Sequence, residues 1–308
     1  MAVRDIEIKL SYRCNQSCIF CWVGDQSKEL IKVEDAIKYL DGYLDYDKIN
    51  NIHISGGEPT IYPDIESLIQ QLYKRKKESL ILHTNAIKLS DETYFRNINK
   101  YIKAYYISFH AIKEESHAIT TKVSGSLKKQ MAGIKNCTSS GKTCILNTVI
   151  TNINKEELSE IVDYMYKTGV EAWLFTFPFI SGTMLENKDI MIKDFNEFKK
   201  YLLETMEKAK RSGIMLIPNG IPYCYIEEYL GSILQGFNYL ASKNVGFMDR
   251  EIIDISNMKE DNKKHITEML RFEKTKECEG CILEKPCCGF WREIILSKKW
   301  PEFKKIVI

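Results

Sequence analysis

Short apolar runs alternate with longer amphipathic segments through the first two-thirds of the chain. The runs are rich in β-branched and aromatic residues, which is typical of buried strands. They cover Ile6–Leu10, Asn51–Ile54, Leu80–Thr84, Ala104–Phe109, Thr143–Ile150 and Ala172–Phe177. The segments between them have the 3.6-residue periodicity of helices: Val33–Leu44, Ile65–Lys74, Leu127–Cys137 and Lys155–Thr168. This alternation predicts an α/β fold with parallel strands and right-handed crossovers.

Six strands are too few to close an eight-stranded barrel, so the pattern predicts an open, partial (β/α)6 TIM-like barrel. Its chemistry is expected at the C-terminal ends of the strands. A helix over Asp194–Arg211 and a short run, Ile214–Ile217, complete the pattern. Three residues that break regular structure then follow: Pro218, Gly220 and Pro222. We therefore divide the chain into a barrel, 1–217, and an irregular Cys-rich extension, 218–308.

Composition and charge narrow the classes of partner. Among 308 residues, 44% are hydrophobic and the formal net charge is +2, so charge alone does not favour nucleic acid. No apolar stretch approaches the roughly 18 residues that suggest a membrane span. The first five residues lack the features of a secretory signal. These observations predict a cytoplasmic protein.

Ten cysteines are unusual for such a protein, because a reducing cytosol disfavours disulfides. Cys137 and Cys144 lie in apolar segments and are interpreted as core residues. Seven others form two tight groups along the chain: Cys14, Cys18 and Cys21, and Cys278, Cys281, Cys287 and Cys288. Such grouping indicates metal ligation.

Cys14, Cys18 and Cys21, here called the first Cys site, directly follow the first predicted strand. Thiolates at C-x3-C-x2-C spacing can hold three corners of a 4Fe–4S cluster. The absence of a local fourth ligand would leave one iron open to another molecule. The alternative is a structural zinc site with a distant fourth ligand, although structural zinc generally uses paired C-x2-C spacings.

The segment from Cys14 to Cys21 resembles the defining motif of the radical S-adenosylmethionine (radical SAM) superfamily, with Phe20 as its aromatic residue. The resemblance spans roughly residues 6–180. It implies that SAM binds the open iron, that Phe20 packs near the adenine, and that reductive cleavage of SAM yields a 5′-deoxyadenosyl radical. A reducing partner such as flavodoxin or ferredoxin is also implied.

Other strand ends extend the resemblance. Gly56, Gly57 and Glu58 resemble the family's GGE motif, which binds the amino group of SAM. A glycine pair lets the backbone approach a ligand closely, and a carboxylate accepts hydrogen bonds from an ammonium group. Looser matches to SAM-binding positions are Asn85, Ser108, Ser124, Asn147 and Phe177. His110 is a candidate catalytic or substrate-contacting residue, with a packing or hydrogen-bonding role as the alternative.

The C-terminal cysteines resemble the centre of the SPASM and twitch extensions, which hold auxiliary 4Fe–4S clusters. Trp291 stands where a complete SPASM domain continues with Cys, so the resemblance implies one auxiliary cluster. Its ligands would be Cys278, Cys281, Cys287 and an upstream residue, Cys224; these four are here called the second Cys site. Cys288 is the rival fourth ligand, and a zinc knuckle is the alternative metal site.

The resemblance favours modification of a ribosomally made peptide. The alternative is a small-molecule dehydrogenase or a cofactor-biosynthesis enzyme. The chain contains no recognisable peptide-binding segment before the first strand, which weakens the first choice. A two-cluster electron carrier is a third reading, but a carrier needs neither a large barrel nor a GGE motif.

Overall fold

A computed structural model describes residues 4–22, 30–246, 250–255, 264–265, 272–287, 289–292 and 306. Its main sheet has nine strands, in the order β7-β6-β5-β4-β3-β2-β1-β8-β9. These strands are β1 Arg4–Lys9, β2 Ile49–Ser55, β3 Leu80–Thr84, β4 Ile102–Ser108, β5 Thr143–Val149, β6 Ala172–Thr176, β7 Met215–Asn219, β8 Arg250–Asp254 and β9 Lys264–His265. A separate pair, β10 Phe272–Glu273 and β11 Phe290–Trp291, is antiparallel.

Helices connect the parallel strands, and most of them cover the outside of the sheet. They are α1 Val33–Tyr43, α2 Ile65–Arg75, α3 Glu92–Asn99, α4 Glu114–Thr121, α5 Leu127–Ser139, α6 Leu158–Thr168, α7 Phe195–Arg211 and α8 Leu230–Lys243. Within the described ranges, no helix is both long enough and apolar enough to cross a membrane.

The α/β partial-barrel fold is confirmed, and all six predicted strands are present. The sheet is larger than predicted at both edges. β7 extends the short predicted run and pairs with β6. β8 comes from the segment interpreted as poor in strands, yet it pairs in parallel with β1. The division at residue 217 stays a prediction.

Alternation along β1 explains how the sheet positions the site. Ile6 and Ile8 face the helices and are fully buried in the larger core. Their neighbours Asp5, Glu7 and Lys9 are also at least nine-tenths buried, although they are charged. Because successive strand residues point to opposite faces, these charged groups occupy the barrel interior.

A smaller apolar cluster fills another part of that interior. It combines strand residues such as Tyr106, Ile145 and Leu174 with Leu240 of α8 and Val245. The interior therefore has an apolar part and a polar part, and the polar strand ends face the loop that carries the first Cys site.

Candidate active site

The loop of the first Cys site is fixed by its backbone and by two apolar side chains. The amides of Ser17 and Ile19 donate to the carbonyls of Thr121 and Thr120 at the end of α4. Ile19 and Phe20 are buried together with Met184. The loop therefore has a defined conformation set by neighbouring segments.

The three thiols of this loop are near each other but remain accessible. Cys14 is exposed, while Cys18 and Cys21 are half-buried. Burial raises the pKa of Cys18, and the neighbouring thiols of Cys14 and Cys21 raise it further. Cluster binding must therefore displace protons from these thiols.

The donor set fits a cluster held by three thiolates. The side-chain nitrogen Nε2 of Gln16, on the same loop, is buried without a hydrogen-bond partner among the described residues. Such a donor is costly to leave unpaired and fits a polar group bound beside the loop. Across the described residues, however, no three potential ligands already form a metal-binding group.

Gly56 and Gly57 pack directly against the backbone that leads into the Cys loop. A Cβ at Gly56 would collide with the carbonyl oxygen of Ser11, and one at Gly57 with that of Arg13. The amide of Gly57 donates to Ser11 O at 2.7 Å, and that of Glu58 to Arg13 O at 2.9 Å. The glycine pair thus permits close contact between this motif and the base of the Cys loop.

Glu58 is 2% exposed and joins the ends of β2 and β3. Its Oε1 accepts hydrogen bonds from Thr60 and from the Thr84 hydroxyl at 2.7 Å. Its Oε2 accepts from the Asn85 amide at 2.6 Å. Burial raises the pKa of Glu58, while these hydrogen bonds oppose the rise. Each carboxylate oxygen has two lone pairs, so Oε2 can accept a further donor.

Asn85 connects Glu58 to the first Cys site. Its side-chain nitrogen donates to Asn15 Oδ1 at 2.6 Å. The buried amide of Gln130, on α5, donates to the carbonyls of both Asn85 and Ser108. Gln130 was not identified from the sequence, because a lone glutamine on a helix carries no spacing signal.

His110 contacts Phe20 rather than a charged partner. The two rings meet edge-on, with centroids 4.7 Å apart. His110 Nδ1 accepts the Val149 amide at 3.1 Å, which assigns the proton to Nε2. Burial lowers the pKa of His110 to about 3. This histidine is therefore neutral near pH 7, and the geometry supports its alternative role in packing the Cys loop.

The remaining candidates do not converge on one point. Ser124 is exposed in the turn after α4. Asn147 lies on β5 and accepts the Thr176 hydroxyl at 2.8 Å. Phe177 is 2% exposed, and its ring packs against Phe198 and Phe290. An adenine contact by Phe177 stays a prediction, and in this structure its ring belongs to the aromatic core.

Charged residues in the barrel interior were missed from the sequence. Glu7 and Arg250 form a buried ion pair at 2.8 Å. Burial acts to raise the pKa of Glu7, but the Arg250 guanidinium outweighs it and holds this pKa below its usual range. Lys9 is 4% exposed, and its ammonium lies 3.8 Å from the Trp22 ring centroid. The strict alternation of Asp5, Glu7 and Lys9 with isoleucines was the available signal, because such a strand has one polar face.

The second Cys site comes together from two distant segments. Cys278, Cys281 and Cys287 lie in the loop between β10 and β11, whereas Cys224 follows β7. All four line one cavity. This set fits a metal cluster with four thiolate ligands. The rival ligand Cys288 lies outside the described residues.

The family model described as the Radical SAM superfamily matches residues 8–165, slightly more than half of the chain. A GTP 3′,8-cyclase of Clostridium perfringens is 28% identical over 247 residues, covering 74% of this chain and 71% of that enzyme. A probable GTP 3′,8-cyclase of Sulfurisphaera tokodaii is 26% identical and covers 55% of this chain. The match spans 54% of that relative, about half its length.

A structural likeness extends over nearly the whole chain. Streptococcus suis SuiB bound to S-adenosylmethionine superposes with a TM-score of 0.66, covering 99% of this chain and 76% of SuiB. SuiB bound to its precursor peptide SuiA superposes with a TM-score of 0.63. Sequence identities are 18% and 17%, so these matches establish a shared fold.

Proposed function

The chain belongs to the radical SAM superfamily, and from that premise we propose that it modifies a ribosomally made peptide through hydrogen abstraction. It is an enzyme of a family that uses SAM and a 4Fe–4S cluster. When bound, these groups would supply the reductive cleavage of SAM to methionine and a 5′-deoxyadenosyl radical, with the electron coming from a reducing partner. The protein's own residues then bind, orient and shield the reacting groups.

In this proposal, the first Cys site holds the SAM-binding cluster, and Glu58 receives the amino group of SAM. Glu58 lies beside the loop, linked to it through Asn85 and Asn15. Phe20 covers one side of this proposed SAM site, and the neutral ring of His110 holds it in place. The exposure of Cys14 gives solvent-side access for SAM.

The observation that carries the proposal is the convergence of four cysteines on one cavity. Cys224, Cys278, Cys281 and Cys287 would hold an auxiliary 4Fe–4S cluster with every iron bound by the protein. Such a cluster supplies electron transfer and has no vacant corner for a substrate. This suits oxidative modification, in which the substrate radical loses one further electron. It also supports an auxiliary-cluster role for the Cys-rich part of residues 218–308.

The fold favours a peptide as substrate. SuiB, whose fold covers 99% of this chain, has been observed bound to a precursor peptide. The interior beside the first Cys site also pairs opposite charges, Glu7 with Arg250, instead of offering an excess of positive charge. A polyphosphate substrate would need such an excess.

A second candidate is cyclisation of a nucleotide in cofactor biosynthesis. The supporting observation is the 28% identity with a GTP 3′,8-cyclase over 74% of the chain. That identity is higher than the 18% found with SuiB. The two candidates differ in substrate but share the first Cys site.

The test is anaerobic turnover of the reconstituted protein with SAM and a reductant. We expect 5′-deoxyadenosine above the level of protein-free controls. Addition of random-sequence peptide pools should stimulate its release and change the mass of a subset of peptides, whereas GTP should have no effect. Stimulation by GTP with loss of GTP would favour the second candidate. Absence of 5′-deoxyadenosine under all conditions would reject both.

A further inference from the structure

The loop after β6 holds the first Cys site directly. The Thr183 amide donates to Cys21 O at 2.9 Å, and its single hydroxyl proton donates to Cys18 O at 2.9 Å, with Cys21 O also within reach at 3.2 Å. The Ser181 hydroxyl donates to Trp22 O at 3.0 Å. These bonds fix the carbonyl groups of two of the three cysteines. We call residues 179–185 the clamp loop.

The clamp loop approaches the Cys loop as closely as the backbone permits. Gly182 has φ +57°, and a Cβ there would collide with Cys21 O and with the carbonyl group of Trp22. A side chain at this position would therefore push the two loops apart, in a backbone conformation that favours glycine. Gly182 thus allows Thr183 to reach the cysteine carbonyls.

The other end of the clamp loop rests on the C-terminal ribbon, formed by β10 and β11. The rings of Phe179 and Trp291 meet edge-on with centroids 4.3 Å apart. Trp291 is 2% exposed and stacks on Phe272 at 4.0 Å. A Cβ on Gly220 would lie 3.1 Å from the Trp291 ring, so this tryptophan fits tightly.

The same ribbon carries three ligands of the second Cys site. The loop between its two strands contains Cys278, Cys281 and Cys287, and the fourth thiol, Cys224, belongs to the barrel side. A cluster bound by all four would tie the ribbon to the barrel. It would thereby restrict Trp291 to its position against Phe179.

We propose that the two Cys sites are coupled through Trp291, Phe179 and the clamp loop, with Thr183 as the positioning residue for the first Cys site. Occupation of the second Cys site stabilises the ribbon, the ribbon supports the clamp loop, and the clamp loop holds the Cys loop in its binding conformation. Coupling between binding sites is reciprocal, so occupation of the first site also stabilises the second. This inference rests on the proposed function, because it requires clusters in both sites.

The experiment measures the rate at which an iron chelator removes the first cluster. The EPR signal that responds to SAM reports how much of this cluster remains. Thr183→Val removes the hydroxyl at nearly constant volume and should accelerate the loss about fivefold, as expected for one hydrogen bond. Thr183→Ser keeps the hydroxyl and should restore the wild-type rate. Trp291→Leu should accelerate the loss by a similar factor. Arg292→Gln, directly after the ribbon, removes only an exposed ion pair with Glu273 and should not change the rate.

Coupling is tested by repeating Trp291→Leu in a Cys278→Ser, Cys281→Ser background. Loss of the first cluster should already be fast there, and Trp291→Leu should add less than about twofold, because coupled residues are not additive. Phe179→Leu tests the same contact from the other side if Trp291→Leu does not fold. In iron-free protein, Trp291→Leu should also speed hydrogen exchange of the residue 183 amide.

Two outcomes overturn the coupling. One is an unchanged rate in both Trp291→Leu and Phe179→Leu, whatever Thr183→Val does. The other is an equal effect of Trp291→Leu in the wild-type and Cys-deficient backgrounds. If wild-type protein holds no cluster at Cys14, Cys18 and Cys21, the proposed function fails as well, so the two failures are distinguishable.

Discussion

In the first Cys site, three thiols belong to one continuous loop, whereas the second Cys site takes its four thiols from two segments far apart in the chain. The first loop is anchored by backbone hydrogen bonds to α4 and by buried Ile19 and Phe20. The second site depends on the ribbon, which packs on the barrel through aromatic rings.

The difference shows how ligand number and scaffold relate to the proposed chemistry. Three thiolates leave one iron for SAM, so the loop geometry must be set by the protein around it. Four thiolates complete a cluster, which can itself tie together segments that the chain keeps apart. Iron binding at the first site is therefore expected to depend on the neighbouring protein segments, whereas iron binding at the second site depends mainly on its four cysteines.

The largest expected effect comes from Cys18→Ala. SAM cleavage should be abolished, because two thiolates no longer hold the cluster that SAM binds. The triple variant lacking Cys14, Cys18 and Cys21 should retain about four of about eight irons, as one cluster in the second Cys site. Iron analysis and EPR measure this. Cys144→Ala, which alters a buried cysteine outside both sites, should keep all the iron.

Undiminished 5′-deoxyadenosine production by Cys18→Ala would contradict the assignment of the first site. Zinc, or no metal, in the triple variant would contradict the auxiliary cluster without affecting the first site.

Replacement of Cys224 tests whether the second Cys site takes its ligands from two segments of the chain. In protein lacking the first site, Cys224→Ser should lower the iron bound from about four atoms to a small fraction, since the cluster loses its ligand from the barrel side. Cys288→Ser is the matched control and should leave the iron unchanged. The reverse result would make Cys288 the fourth ligand and remove the connection between the two segments.

A smaller effect is expected for Glu58, which we propose contacts SAM without holding iron. Glu58→Gln should weaken SAM binding by about 1.5–3 kcal/mol, the range for a hydrogen bond to a charged group. Titration of reconstituted protein with SAM measures this, and the iron content should stay at the wild-type level. Glu34→Gln changes an exposed carboxylate of α1 and serves as control. Equal SAM affinities for all three proteins would reject the role of Glu58.

The smallest expected effect is a loss of folding stability at acidic pH, caused by the buried side chain of His110. His110 has a pKa of about 3 in the folded protein against an ordinary value of 6.5. The unfolded chain therefore binds a proton below pH 6.5 that the folded chain does not, and stability falls as the pH drops from 6.5 towards 3. The loss is at most about 1.4 kcal/mol per pH unit for this histidine.

Urea unfolding of metal-free protein at pH 7 and pH 5 checks this prediction. His110→Gln should reduce the pH dependence, since glutamine carries no titratable proton. An identical pH dependence in wild type and variant would show that His110 titrates normally.

Much of the fold was predictable because its signals are local. Short apolar runs located the strands from Leu80 and Thr143 to within a residue of their observed ends. Short or weakly patterned elements were missed, among them α4, which holds the Cys loop, and α8, which packs in the barrel interior. β8 was missed because irregular sequence surrounds it, and its partner β1 lies about 240 residues away.

The sequence by itself determined the identities and spacings of the cysteines that we propose as ligands at the first Cys site, because one short loop contains them all. It also indicated the GGE motif and the four cysteines of the second site. Tertiary structure decided what lies around them: His110 packs on Phe20, Phe177 lies in the aromatic core, and Thr183 reaches the carbonyls of Cys18 and Cys21. The physical reason is that spacing reports contacts within a segment, whereas contacts between distant segments follow from how the strands are ordered and how the side chains between them pack.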